Sequence, residues 1–226
     1  MDGFLNIDKP CGITSHDVVL RIRRLIGEGK VGHGGTLDPE ATGVLPICIG
    51  KATKMAQGIL DNDKEYKGEM VLGIATDTQD AAGNVMRVAS IEGITEASIN
   101  EILYMFRGEI EQIPPMFSAK RFRGKHLYEL ARAGRVVDRP ARKVVIYSFD
   151  VDEFHFPGIS FHVRCSKGTY IRTLCADIGS QLGCGAHLSR LRRVRCGPFA
   201  VRDSVSLEEL VSQEDVMKRL LSLGES

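Results

Sequence analysis

Asp38 lies in the stretch Gly32-His33-Gly34-Gly35-Thr36-Leu37-Asp38-Pro39-Glu40-Ala41-Thr42-Gly43, where four glycines and one proline surround a single aspartate. Each glycine loses more backbone freedom on folding than any other residue, and Pro39 excludes the helical region for the residue before it, holding Asp38 extended. A chain that accepts this cost aims a side chain, and a carboxylate so aimed is equipped to act as a nucleophile or to stabilise charge. The same residues also read locally as a helix start, with Asp38 as N-cap, Pro39 at the first helical position and Glu40 in the first turn. Gly43 follows so closely that any such helix is limited to about one turn.

Two basic stretches and one acidic stretch surround this loop in the chain. From Lys120 to Lys143 there are nine basic residues (Lys120, Arg121, Arg123, Lys125, Arg132, Arg135, Arg139, Arg142, Lys143) against Glu129 and Asp138. Arg190, Arg192, Arg193, Arg195 and Arg202 form a second stretch, with no acid from His187 to Arg202. From Asp61 to Gln112, eleven acids stand against Lys64, Lys67, Arg87 and Arg107, so the formal net charge of +1 conceals a strong asymmetry. Clustered arginine with a near-neutral total points to a directed polyanion site, because phosphate contacts act through local counterion release. Phe117, Phe122, His126 and Tyr128, interleaved with the first stretch, favour RNA, whose unpaired bases stack on aromatic and guanidinium planes.

Composition excludes other classes. The chain has 226 residues, 43% hydrophobic and 26% charged, enough to bury a proper core as one large domain or as one domain plus a small appendage. No apolar run approaches the roughly 20 residues of a membrane span and no export signal opens the chain, so a cytoplasmic protein without a membrane role is expected. The six cysteines have no C-x-x-C spacing and the six histidines no metal-ligand spacing, so neither metal nor disulfide framework is expected. A nucleotide-binding enzyme would need Gly-x-Gly-x-x-Gly or Gly-x-x-x-x-Gly-Lys-Ser/Thr between a strand and a helix, and neither stands in that position.

The elements that must hold these residues follow from periodicity and punctuation. Gly3 to Asp8, Val44 to Ile49 and Glu65 to Ile74 read as strands, and Val85 to Ala89 closes a hairpin across the polar turn Thr76 to Asn84. Ser15 to Ile26 reads as a helix stopped by Gly27, Ala52 to Leu60 as another, and Thr95 caps a third. Pro114-Pro115 opens the basic excursion, helical from Leu127 to Ala133. Lys143 to Asp152 and Ile159 to Cys165 are strands joined at Pro157-Gly158, Tyr170 to Leu182 is an apolar helix, and a helical pattern runs from Ser206 to Leu221. Strands joined by turns imply an α+β fold around a mainly antiparallel mixed sheet flanked by helices.

With these elements in place, Gly3-Phe4-Leu5-Asn6-Ile7-Asp8-Lys9-Pro10, the glycine loop, Lys64-Glu65-Tyr66, Gly168-Thr169-Tyr170-Ile171-Arg172 and Leu188-Ser189-Arg190-Leu191-Arg192-Arg193 together resemble the ordered motifs of TruB-type tRNA pseudouridine synthases. The resemblance runs from about residue 3 to residue 210. It implies the pseudouridine synthase catalytic fold over residues 1–210, with a basic RNA-binding insertion at about 114–143. It also implies isomerisation of the T-loop uridine called 55 in tRNA numbering, by base flipping and cleavage and re-formation of the glycosidic bond, without any cofactor. Relatives in this family usually continue into a PUA domain, for which the helical tail 211–226 is too short. A monomer with no obligate protein partner and the tRNA T stem-loop as its ligand is expected.

By the same resemblance, Asp38 is the family's essential aspartate and Arg172 the cation that keeps it ionised, since burial alone would raise a carboxyl pKa. Tyr66 packs on the flipped uracil and is a candidate for handling the C5 proton. Lys9 and Pro10 support the loop within the substrate-binding set, with His33 reaching the RNA and Tyr170 and Leu191 holding the base. Lys120, Arg121, Arg123, Lys125, Arg132, Arg135, Arg190, Arg192 and Arg193 would contact the RNA backbone. A non-catalytic tRNA-folding chaperone is the alternative that uses the same basic surface.

Overall fold

The computed structural model describes residues 1–27, 29–118, 120–122 and 124–223, with the side chain of Arg121 outside the description. The chain divides into two compact units, Met1–Lys67 with Leu191–Ser226, and Gly68–Arg190. Strands Lys64–Leu72 and Ala186–Cys196 each begin in one unit and end in the other.

In the first unit, strand Gly3–Lys9 pairs antiparallel with Thr42–Ile49, in a register running from Gly3 opposite Ile49 to Lys9 opposite Gly43. Its other edge pairs in parallel with Val205–Ser206. Thr42–Ile49 also takes Val31–His33 antiparallel, and its Thr42 and Gly43 pair in parallel with Arg192 and Arg193. Helix Ser15–Leu25 begins at a reciprocal cap: Thr14 Oγ1 accepts from the Asp17 amide at 3.1 Å, and Asp17 Oδ2 accepts from the Thr14 amide at 2.8 Å. Its buried stripe is Val18, Val19 and Ile22, at the 3.6-residue period. Val44, Cys48, Ala52, Ile59, Cys196 and Phe199 form a core cluster in this unit.

In the second unit, the long strand Arg142–His155 lies antiparallel between Gly158–Cys165 and Gly108–Gln112. Phe149 and Phe161 meet edge to face there at 4.9 Å, both fully buried. Ile74–Thr76 and Val85–Val88 make the expected hairpin. Helix Glu96–Met105 starts at Thr95, whose Oγ1 accepts from the Ser98 amide. A short ribbon, Arg121–Phe122 with Lys125–His126, leads into helix Leu127–Arg132 inside the basic insertion. Antiparallel pairing dominates both units and the fold is α+β.

Two elements depart from the pattern reading, and a third lies where it assigned none. Residues Gly50–Met55 form a 3₁₀ helix before the short α-helix Ala56–Leu60, so Ala52 to Leu60 is not one α-helix. Ser206 to Leu221 is broken into the 3₁₀ turn Leu207–Glu209 and helix Gln213–Arg219, because Ser206 with Glu209 and Ser212 with Asp215 each make a capping box that restarts the chain. The basic stretch at Arg190 to Arg195 lies in an eleven-residue strand, Ala186–Cys196.

Helix Ile171–Gln181 packs Ile171, Leu174, Cys175 and Ile178 inward, and half-buried Asp177 sits among them in sequence. Burial pushes the Asp177 carboxyl up to about 6, against roughly 3.9 in an unfolded chain. The folded state therefore binds more protons than the unfolded state between these values, and stability falls as pH rises through that window. Asp177→Asn is expected to raise stability at pH 7.5 by about 1 kcal/mol, allowing for solvent screening, and to change little at pH 4. Thermal melts at the two pH values check this; an equal shift at both would contradict it.

Candidate active site

The loop that carries Asp38 is fastened from below by three buried polar side chains. Ser15 Oγ accepts from the Leu37 amide at 2.9 Å and lies 3.0 Å from the Leu37 carbonyl. Lys9, fully buried on the first strand, donates from Nζ to the carbonyls of Pro10 (2.8 Å), Ile13 (2.7 Å) and Pro39 (2.9 Å). Arg193, 1% exposed, donates from Nε to Val44 O at 2.7 Å and from Nη2 to Gly35 O at 3.1 Å. One guanidinium thus joins the limb entering the loop to the strand leaving it.

Asp38 itself is half-buried, and its backbone carbonyl accepts from the Ala41 amide at 3.1 Å. With Pro39 at the second position this is a β-turn, not the first turn of a helix. The helix-start reading fails because the Pro39 carbonyl is taken by Lys9 and by the Gly12 amide, neither belonging to a following helical turn. Gly34 must be glycine, since a Cβ there would stand 2.6 Å from Ile59 Cγ2.

Gly43 closes the loop at φ +99°, where a Cβ would stand 2.2 Å from the Arg193 carbonyl. Neither the dihedral nor the backbone approach tolerates a methyl group. Gly43→Ala is expected to destabilise the protein by about 2–4 kcal/mol, read as a lowered denaturation midpoint; a loss below about 1 kcal/mol would contradict this close approach.

Of the remaining candidates in the first unit, His33, Tyr66, Leu191 and Arg192 lie on strands of the sheet. His33 is half-buried, and burial, then the nearby Arg193 guanidinium, hold its imidazole below the usual range. Its Nδ1 accepts weakly from the Gly35 amide at 3.4 Å. Tyr66 is 8% exposed on strand Lys64–Leu72. That strand starts from a second buried lysine, Lys64, whose Nζ donates to Leu60 O and Asn62 O, both at 2.6 Å. Leu191 is half-buried and its carbonyl accepts from Thr42 Oγ1 at 3.5 Å, while Pro10 is exposed. Arg192 grips Asp8 through both carboxylate oxygens, at 3.1 and 2.7 Å.

In the second unit, Arg172 is 5% exposed in the first turn of its helix. Its Nη1 donates to Thr78 O at 2.9 Å and pairs with Asp80 at 3.3 Å, and its Nη2 donates to Phe117 O at 2.8 Å. Tyr170 precedes that helix as its N-cap residue, with the Arg142 guanidinium 4.6 Å over its ring. Lys125, Arg132, Arg135 and Arg190 are exposed and Lys120 is half-buried. His126 and Tyr128 stack at 5.2 Å, and Arg132 lies 5.6 Å over the Tyr128 ring. Arg123 lies outside the described residues, as does the Arg121 side chain.

Among the described residues, no group of three or more His, Cys, Asp or Glu is placed to hold a metal ion. The frame is an aspartate presented by a braced turn. Residues 23–171 match the family described as TruB family pseudouridylate synthase (N terminal domain). The chain belongs to the TruB family of pseudouridylate synthases. Residues 172–222 match a tRNA pseudouridylate synthase B C-terminal domain. A tRNA pseudouridine synthase B of Geotalea uraniireducens is 50% identical over 209 residues, which is 92% of this chain and 67% of that protein. Another, of Clostridium kluyveri, is 48% identical over 226 residues, 100% of this chain and 78% of that protein. Among solved structures, a chain in an H/ACA RNP bound to a substrate RNA containing 2'-deoxyuridine gives a TM-score of 0.71 at 33% identity, covering 96% of this chain and 54% of that chain.

Within this TruB-family frame, Lys9 is enclosed beneath the loop it is expected to support and has no exposed surface for substrate. Arg193, grouped by sequence with the RNA-backbone arginines, has its donors committed to carbonyls inside the protein and serves as a brace. Pattern reading did not single out Ser15, Gln112 or Arg142 as site residues. Ser15 had a usable signal as a serine at a helix start, whereas a lone glutamine ending a strand carries none.

Proposed function

We propose that this TruB-family chain isomerises the T-loop uridine of tRNA called position 55 to pseudouridine, with Asp38 as the reacting group. The observation that carries the reading is the braced Asp38 turn, in which Lys9, Ser15 and Arg193 fix the backbone on both sides of one carboxylate. The reaction is an isomerisation and its atoms balance within the uridine. The N1–C1′ bond breaks, the uracil rotates, and a C5–C1′ bond forms as C5 gives up a proton and N1 takes one. Attack on C1′, attack on C6 and elimination all call on the same carboxylate.

Tyr66 packs against the extruded uracil and is the candidate for handling the C5 proton, Arg172 keeps Asp38 ionised, and Tyr170 and Leu191 hold the detached base. His33 reaches the RNA where the base has left the stack. The catalytic domain occupies residues 1–210. Its insertion at about 114–143, with exposed Lys125, Arg132 and Arg135, supports contact with the T arm, as does exposed Arg190. Those contacts offset the few kcal/mol spent on extruding a stacked nucleotide. The enzyme works as a monomer in the cytoplasm; among the described residues no helix is long and apolar enough to cross a membrane.

An isolated T-arm hairpin tests this reading against an anticodon-arm hairpin of equal length. Pseudouridine in the T-arm RNA alone is the expected result. No modification of either hairpin, by a protein that binds both, favours the chaperone reading instead.

A further inference from the structure

Tyr170 is gripped twice, from two strand residues that stand directly opposite each other. Gln112 is the last residue of strand Gly108–Gln112 and Arg142 the first of strand Arg142–His155, and they are paired in register. Between them the chain makes its whole basic excursion, so they are the two roots of the insertion. Gln112 is 1% exposed, and its carboxamide donates from Nε2 to Tyr170 O at 3.2 Å while its Oε1 accepts from the Tyr170 amide at 3.0 Å. A side chain here does what a neighbouring strand would do, and it holds a residue that opens a helix without a side-chain cap of its own.

Arg142 supplies the second grip. Its guanidinium lies 4.6 Å over the Tyr170 ring and its Nη2 donates to the Gly168 carbonyl. Gly168, at φ +79°, brings the backbone close: a Cβ there would stand 3.4 Å from Arg142 Nη1. One residue fixes the tyrosine's backbone and the other its ring plane.

We infer that Gln112 and Arg142 are positioning residues that aim Tyr170 and tie its aim to the two ends of the insertion. The inference rests on the proposed function, in which Tyr170 holds the base. RNA seated on the insertion then acts on the base pocket through Tyr170, with no group of either residue touching the reacting atoms.

Single-turnover pseudouridine formation and T-arm affinity are measured for Gln112→Ala and Arg142→Leu, each alone and combined with Tyr170→Ala. The rate is expected to fall by about 10-fold to 10²-fold, the usual result of a small misplacement, with Kd changing less than about threefold. Because both residues act through Tyr170, adding either change to Tyr170→Ala is expected to cost nothing further. Arg142→Lys keeps a donor but not a planar group, so partial recovery relative to Arg142→Leu is expected. Unchanged rates in folded variants, or losses that add fully to that of Tyr170→Ala, overturn the inference. Should Gln112→Ala not fold, the Arg142 series alone decides it. Wild-type turnover on the same RNA, measured in parallel, reports on the proposed function separately.

Discussion

Asp38→Asn is expected to lower single-turnover pseudouridine formation by about 10⁴-fold or more, the scale on which an enzyme loses a covalent nucleophile. T-arm affinity should stay within about threefold, because one neutralised carboxylate removes no phosphate contact. Asparagine matches aspartate in shape, and the turn is closed by the Asp38 backbone carbonyl and the Ala41 amide. The braces likewise fall on the carbonyls of Gly35, Leu37 and Pro39. The turn should therefore keep its closing hydrogen bond and its braces. Asp38→Glu is expected to fail nearly as badly, since a longer arm in a fixed turn misplaces the carboxylate by about the ångström that costs 10²-fold or more. Residual activity of a tenth in Asp38→Asn would remove Asp38 from the reaction.

Lys9→Met carries the second large effect, this time on folding. The substitution preserves the length of an enclosed side chain but removes every donor from it. The Pro10 and Ile13 carbonyls lose their Lys9 bonds, and Pro39 keeps only the Gly12 amide. Losing three part-buried hydrogen bonds from a charged donor costs about 3–5 kcal/mol, and for a chain of this size that lowers the melting temperature by about 10 °C. Activity should fall as well at temperatures where the variant is folded, because Pro39 directly follows Asp38. Lys9→Arg is not expected to rescue it, since a planar fork cannot converge on three carbonyls as an ammonium does. Calorimetry together with rates at low temperature separates the two losses. A melting temperature within about 2 °C of wild type would show that the carbonyls do not depend on Lys9.

The glycine loop was legible in sequence because glycine and proline act through the backbone, wherever the chain lies. Its secondary structure was not. A helix start and a β-turn share the signature Asp38-Pro39-Glu40, and the choice is made by Lys9, which belongs to the first strand, and Ser15, which belongs to the first helix. The cap at Thr95 was readable for the opposite reason, since donor and acceptor lie within one turn.

The strand Ala186–Cys196 escaped because arginine hides alternation. Leu188 and Arg193 are both buried in it, and only the carbonyls of Gly35 and Val44, far away in the chain, explain why a guanidinium is enclosed there. Arg142 was hidden similarly, counted with a cationic run although it stacks on Tyr170. The break after Ser206 was different: both capping boxes stood in the sequence, and a long apolar period outweighed them. Local chemistry was visible throughout, and what remained hidden was which distant carbonyl each buried cation serves.

The most direct measurement uses a tRNA transcript carrying tritium at C5 of every uracil, treated with enzyme to completion. Release of one tritium per tRNA is expected, falling to none when the T-loop target uridine is replaced by cytidine. Absence of release from a tRNA that the protein binds, or release that survives this replacement, would contradict a T-loop pseudouridine synthase.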